Sequence, residues 1–145
     1  LVEGDKIHYQ ENNLSFLSPG KKELESKELN DTVLVMLLES PWAKILFTGD
    51  IGFKIEKRIL KKYNIKTDVL KVSHHGSKYS SSEEFLKETQ PKLSIIEVGK
   101  NSYGHPTKEA LERLSAIGAK IFRTDKDGLV KITTNNGKLL IFKSD

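Results

Sequence analysis

The sequence predicts a mixed α/β fold, an α+β arrangement in which helices pack on a mixed sheet. Short apolar stretches alternate with amphipathic ones through the middle of the chain, which is typical of strand–helix units. Pairs of apolar stretches joined by turn residues occur near both ends, which indicates antiparallel hairpins. At 145 residues, the chain fits a single domain, or a partial one, with a core of its own.

The first third of the chain is predicted to be β-structure. Residues 7–9 and 13–17 are short apolar stretches, and each is expected to form a strand. The polar stretch that follows is predicted to be a loop. Residues 32–39 and 44–48 are rich in Val, Leu and Ile and are separated by a Ser-Pro turn, so we expect a β-hairpin with a largely buried face.

The middle third is predicted to alternate helices with buried strands. Apolar residues recur at helical spacing among lysines and glutamates over 53–63, which indicates a helix with one solvent-exposed face. A second helix is expected from a cap at Ser81 or Ser82 to about Thr89, because Pro91 ends it. The strands expected on either side of this second helix span residues 68–73 and 93–98.

The last third adds a third helix and a terminal hairpin. Pro106 or Thr107 is predicted to begin the helix, and Gly118 is predicted to end it. A strand over 120–124 and a turn over 125–128 are expected next. The Asn-Asn-Gly run at 135–137 is typical of a hairpin turn. It is expected to join strands over 129–133 and 138–142.

The composition is that of a globular protein with a basic balance. The net charge of +4, from 24 basic and 20 acidic residues, favours polyanionic partners such as nucleic acid or a cell-wall polymer. Lysines interspersed with acids are more typical of an ordinary solvent-exposed helix face, so the charge alone is weak evidence for such a partner. No apolar run is long enough to cross a bilayer, so we expect a soluble chain. The extracytoplasmic part of a membrane protein remains an open alternative for its localisation.

Polar clusters follow three of the predicted strands. Asp50 ends a Thr-Gly-Asp run, His74 and His75 begin a His-His-Gly-Ser run, and His105 precedes a proline at a helix start. Because the carboxyl ends of strands meet at one edge of an open α/β sheet, we expect these side chains to form one site. The chain has no cysteine, so a metal there would be held by imidazole and carboxylate groups, which suit Zn, Mn or Fe.

Each of these residues has a catalytic and a structural interpretation. Asp50 could bridge two metal ions or cap the following helix. One of His74 and His75 could bind a metal while the other contacts a substrate anion, or both could serve packing alone. Ser77 could hold a phosphate oxygen. His105 could contact substrate phosphate, donate a proton, or belong to a helix-capping loop.

Six motifs occur in order along most of the chain: LSFLSP at 14–19, NDTVLVMLL at 30–38, ILFTGD at 45–50, DVLKVSHHGS at 68–77, YGHP at 103–106 and FRTDKDG at 122–128. With these motifs the chain resembles the C-terminal half of a metallo-β-lactamase-fold hydrolase. The resemblance is greatest to the hydrolase domain of ComEC-type competence proteins, which act in DNA uptake.

The resemblance implies an αββα sandwich, of which this chain is the C-terminal half, with two divalent metal ions (Zn or Mn) at one sheet edge. It implies that Asp50 bridges the metals and that His74 or His75 binds one of them. His105, as the catalytic residue, and Ser77 would lie at the mouth of the site, near the substrate. The implied activity is that of a binuclear metal-dependent phosphodiesterase or nuclease linked to DNA uptake, with DNA or another phosphodiester polymer as substrate.

The family's His-x-His-x-Asp-His cluster, which supplies most of the metal ligands, is absent from this sequence, and His8 cannot replace it. We therefore expect an N-terminal half or a second chain to complete the site, and this chain alone to be inactive. The alternative is a non-catalytic binding or scaffold module of the same fold without metal. Unpaired edges of a half-fold further predict a homo-oligomer or strand exchange.

Overall fold

The computed structural model describes residues 1–135 and 137–144. The first four strands pair with one another in antiparallel fashion, and each was predicted from the sequence. They are β1 (Lys6–Tyr9), β2 (Asn12–Ser18), β3 (Val35–Glu39) and β4 (Lys44–Phe47). The predicted loop between β2 and β3 contains two 3-10 turns, Glu23–Glu25 and Leu29–Thr32.

Three strand–helix units follow, as predicted. Their elements are α1 (Phe53–Leu60), β5 (Val69–Lys71), α2 (Glu83–Thr89), β6 (Leu93–Ile96), α3 (Lys108–Ala116) and β7 (Lys120–Arg123). The side chains of Ser82 and Thr107 cap α2 and α3 by accepting backbone N–H groups three residues ahead, which decides between the cap residues that the sequence left open. None of the described helices is long and apolar enough to span a membrane.

Strands β1 to β7 form one sheet whose spatial order is the order of the sequence. Strands β4 to β7 are parallel neighbours, so each connecting helix returns the chain to the end of the sheet where these strands begin. The carboxyl ends of these four strands therefore share one edge, called here the carboxyl edge. The mixed sheet confirms the predicted α+β class, whereas its place as half of an αββα sandwich stays a prediction.

The main core lies between the sheet and the helices. Fully buried residues of both layers form it: Leu46, Leu70, Val72 and Ile96 from the sheet region, and Ile55, Ile59, Phe85, Leu86 and Leu114 from the helices. Successive side chains of a strand point to opposite faces of the sheet, so every second side chain contacts this core. This packing holds the helix starts, and with them the connecting loops, against the carboxyl edge.

The terminal hairpin covers part of the opposite face. It consists of β8 (Val130–Asn135) and β9 (Lys138–Lys143), which form a separate two-stranded antiparallel sheet. Apolar side chains of the hairpin pack on Val69, Leu93 and Phe122. The hairpin was predicted, although Asn136 of its turn lies outside the described residues.

The turn predicted over 125–128 is wrong in detail, because a one-turn helix, α4 (Thr124–Asp127), forms there. The carboxylate of Asp127 accepts the backbone N–H of Arg123 at 2.8 Å, and the Arg123 guanidinium binds both carboxylate oxygens of Asp125. These local hydrogen bonds stabilise a helical turn, whereas the Asp and Gly residues of the sequence had indicated a non-helical turn.

Strand β1 lies at an edge of the seven-stranded sheet. Its Ile7 and Tyr9 side chains are on one face of the sheet and are 46% and 69% exposed. Exposed apolar residues on an edge strand are where association with another chain is expected. The predicted homo-oligomer nevertheless stays a prediction.

Candidate functional site

Three loops meet at the carboxyl edge, and each follows one of the parallel strands. The loop after β5 lies between the other two. The backbone N–H of His74 donates to the carbonyl of Gly49 at 3.0 Å, and the N–H of Thr107 donates to the carbonyl of Gly76 at 2.9 Å. The predicted convergence of the Asp50, His74–His75 and His105 loops is therefore seen in the structure.

Asp50 and His75 bring a carboxylate and an imidazole together in this site. His75 Nε2 lies 3.7 Å from Asp50 Oδ1, and the two side chains are 45% and 39% exposed. The other ring nitrogen, Nδ1, lies 2.6 Å from the backbone carbonyl oxygen of Glu97. Because a carbonyl only accepts, the neutral ring is expected to carry its proton on Nδ1 and to keep the Nε2 lone pair free toward Asp50.

The backbone of the histidine pair is left-handed. His74 has φ +49° and His75 has φ +52°, and Gly76 follows at φ +81°. A non-glycine residue in this region costs on the order of 1–3 kcal/mol and persists where surrounding structure demands it. This conformation turns the two rings toward different neighbours, because His75 reaches Glu97 and Asp50 while His74 reaches His105.

The ring of His105 lies beside the ring of His74. The two ring centroids are 5.5 Å apart in an edge-to-face arrangement, and the Tyr103 ring stacks on His105 with a centroid distance of 5.9 Å. Partial burial lowers the pKa of His105, and the neighbouring His74 and His75 lower it further, against an opposing effect of Asp50. A lowered pKa favours the neutral imidazole near neutral pH, which can donate one N–H and accept at the other nitrogen.

Ser77 lies beneath the site. Its side chain is buried, and its hydroxyl oxygen accepts the backbone N–H of Tyr79 at 3.3 Å. Its own backbone N–H donates to the carbonyl of His74 at 2.9 Å. In this conformation Ser77 stabilises the loop that presents the histidines, and the predicted contact with substrate stays a prediction.

Asn101 organises the third loop and was not found by sequence reasoning. Its Nδ2 donates to the carbonyls of Gly99 and His105 at 2.9 and 2.8 Å. Its Oδ1 accepts the backbone N–H groups of Tyr103 and His105 at 3.1 and 3.0 Å. An Asn two residues before an aromatic residue and a Gly is a turn-forming pattern, which is the signal that could have identified it.

Glu56 and Arg113 hold the connection between the histidine loop and α2. Glu56 is fully buried and accepts the backbone N–H groups of Ser81 and Ser82, the latter at 2.9 Å. Arg113 Nε donates to the carbonyl of Ser81 at 2.8 Å. Burial raises the pKa of Glu56, although the serine hydrogen bonds and Arg113 partly oppose it. The sequence shows Glu56 only as one acid among lysines, which indicates a solvent-exposed position.

The donor groups at this edge fit part of a metal site. Asp50 and His75 bring a carboxylate oxygen and an imidazole nitrogen to 3.7 Å, and the second nitrogen of His75 is held by a backbone carbonyl, as is usual for metal-binding histidines. Within 1–135 and 137–144, no three His, Asp or Glu side chains are arranged to hold a metal ion. His8 lies on β1, where its ring contacts the side chain of Asn13.

A separate surface depression of about 540 Å³ lies at the amino ends of β4 to β6. It is lined by polar and charged residues: Lys44, Lys66, Thr67, Asp68, Gln90 and Lys92. It shares no residue with the carboxyl edge. Its size therefore does not identify the candidate site, which is defined by converging polar groups.

Comparison with known proteins finds relatives named for competence and recombination. The chain is 37% identical to ComE operon protein 3 of Bacillus subtilis over 135 residues, 92% of this chain and 17% of that protein. It is 34% identical to competence protein ComA of Neisseria gonorrhoeae over 125 residues, 84% of this chain and 18% of that protein.

A third relative is Recombination protein 2 of Haemophilus influenzae, which is 31% identical over 139 residues, 95% of this chain and 17% of that protein. No protein-family profile matches the chain. The chain thus spans about one sixth of the length of the three relatives.

Proposed function

Since this chain is homologous to one segment of competence proteins, we propose that it acts in DNA uptake as part of a metal-dependent phosphodiesterase or nuclease. The whole activity would require more than these residues, because the segment matched is only 17–18% of each relative. The names of the relatives support the role in competence. The hydrolytic part of the proposal depends on the chemistry of the carboxyl edge.

The observation that best supports the hydrolytic part is the orientation of His75. Its Nδ1 is bound to the Glu97 carbonyl, and its Nε2 is directed toward Asp50 at 3.7 Å. The left-handed backbone at His74 and His75 is a strained arrangement of the kind that clusters at active sites. A structural ion pair alone would not require this strain.

We assign proposed roles to the residues of the edge. Asp50 and His75 would hold metal, with His74 as the alternative histidine ligand, and Zn or Mn suits these donors. Bound metal supplies a hydroxide and polarises phosphoryl oxygens in hydrolases of this kind. His105, neutral near neutral pH, would donate its N–H to a phosphate oxygen of the substrate.

The remaining ligands would come from residues outside this chain. Two donor groups are fewer than a tight site needs, so the isolated chain is expected to bind metal weakly and not to hydrolyse DNA. A segment of a longer protein, or a second chain, would complete the coordination. The alternative is a metal-free module that binds or scaffolds. The two hypotheses differ in whether Asp50 contributes to metal binding.

The first experiment is titration of the purified chain with Zn²⁺ and Mn²⁺ by calorimetry, with Asp50→Ala and Asp5→Ala compared. We expect weak binding by the wild type and by Asp5→Ala, and a loss of at least about tenfold in Asp50→Ala, because a metal ligand is removed. Hydrolysis of DNA is then assayed in a protein that joins this segment to the rest of the site. The metal-free module would be favoured if Asp50→Ala bound metal as tightly as the wild type, or if neither the wild type nor the variants bound metal.

A further inference from the structure

Two tyrosines at the carboxyl edge have exposed rings. Tyr103 is 81% exposed and Tyr79 is 66% exposed. Tyr103 belongs to the loop of His105, and Tyr79 belongs to the loop that carries the two histidines. Large aromatic rings left in water on ordered loops indicate a surface used for binding rather than for packing.

The ring of Tyr103 is held in place. It stacks on His105 with an angle of 29° between the ring planes, and Asn101 accepts the backbone N–H groups of both residues. One face of the Tyr103 ring is therefore directed toward the site and the other toward solvent. An aromatic ring on a backbone held by hydrogen bonds loses less conformational entropy when a ligand stacks on it than a ring on a mobile loop does.

Tyr79 lies on the Asp50 side of the site. Its carbonyl accepts the backbone N–H of Phe53 at 3.2 Å, three residues beyond Asp50. The ammonium group of Lys78 lies 5.1 Å from the centroid of the Tyr79 ring. A ring and a cation thus stand together where a base and its phosphate could be contacted.

We propose that Tyr103 and Tyr79 stack unpaired bases of single-stranded DNA and so deliver the strand to the site. The inference rests on the proposed function and adds to it the strand form of the substrate. Stacking on aromatic rings requires exposed base faces, which a duplex keeps inside its own stack. The exposed lysines of the same loops, Lys78 and Lys100, would contact the phosphates.

The test is fluorescence anisotropy of labelled oligo(dT) and of a duplex of equal length, at one fixed salt concentration, with the wild-type chain and its variants. Tyr103→Ala is expected to weaken single-strand binding by about 5- to 150-fold, since one stacked base is lost. Tyr79→Ala is expected to act in the same direction. Tyr103→Phe should bind as the wild type does, because the ring is retained.

The matched control is Tyr9→Ala, which removes an equally exposed tyrosine, at 69%, from β1. It should leave binding unchanged, and circular dichroism should show all variants folded. The inference is overturned if Tyr103→Ala binds oligo(dT) as tightly as Tyr9→Ala, or if the wild type prefers the duplex.

The Asp50→Ala variant separates this inference from the proposed function. Its metal binding tests the proposed metal site, whereas the effect of Tyr103→Ala on oligo(dT) binding tests the stacking surface. Single-strand binding that depends on Tyr103, together with metal binding that does not depend on Asp50, would support the stacking surface and contradict the proposed hydrolase. Loss of the Tyr103 effect with metal binding intact would contradict only the stacking surface.

Discussion

Gly76 and Pro106 are in such close contact that a Cβ on Gly76 would lie 2.6 Å from the Cβ of Pro106 and 3.1 Å from its Cα. Gly76 also has φ +81°, a conformation that side chains rarely adopt. The contact joins the loop of the two histidines to the loop of His105. The spacing of the candidate site therefore depends on the absence of a side chain at position 76.

Gly76→Ala is expected to lower the free energy of unfolding by about 2–4 kcal/mol, because it adds backbone strain and an overlap with proline. Urea unfolding followed by circular dichroism measures the change. Gly99→Ala is the matched control, since a Cβ there meets nothing within 4 Å. Equal unfolding midpoints for the two variants would contradict the close contact.

The neutral ring of His75 is expected to carry its proton on Nδ1, because Nδ1 is bound to the carbonyl oxygen of Glu97. Long-range ¹H–¹⁵N correlation spectra distinguish the two tautomers through their ring nitrogen shifts. A proton on Nε2 would leave no lone pair directed at Asp50, and it would remove the main support for His75 as a metal ligand.

The pH dependence of stability is expected to report on Glu56. Burial raises its pKa above the ordinary value of 4.5, so the folded protein favours the protonated form. The free energy of unfolding of the wild type, relative to that of Glu56→Gln, should therefore be highest below pH 4.5. It should fall as the pH rises through the raised pKa of Glu56.

The measurement for Glu56 is the urea midpoint of the wild type and of Glu56→Gln from acidic to neutral pH. Glu83→Gln serves as the control, because it makes the same substitution at a side chain that is 74% exposed. A constant difference between wild type and Glu56→Gln at every pH would contradict the direction given for this pKa.

Asn101→Ala is expected to loosen the loop that carries Tyr103 and His105. It removes the acceptor of both backbone N–H groups, and the hydrogen exchange of each should become about 5- to 12-fold faster, as a lost hydrogen bond of roughly 1–1.5 kcal/mol implies. Exchange measured by NMR tests this, with Ser102→Ala as the control in the same loop. Unchanged exchange at Tyr103 and His105 would show that other contacts hold the loop.

Sequence patterns predicted the order of the elements well, for a physical reason. Helical spacing, capping residues and turn residues act within a few positions along the chain, so the residue pattern alone narrows the helix starts to Ser81 or Ser82 and to Pro106 or Thr107. Where the prediction was wrong, at 125–128, local side-chain hydrogen bonds of Asp127 and Arg123 closed a helical turn instead.

The sequence by itself also determined which residues gather at the carboxyl edge, because polar groups that follow parallel strands must meet at one edge of the sheet. Only the tertiary structure decided how they are oriented. His75 is directed by the carbonyl of Glu97, and the loop beyond it is held by Glu56, from positions more than twenty residues away. Backbone carbonyls carry no sequence signature, and a buried acid among lysines looks like a surface residue until the packing around it is known.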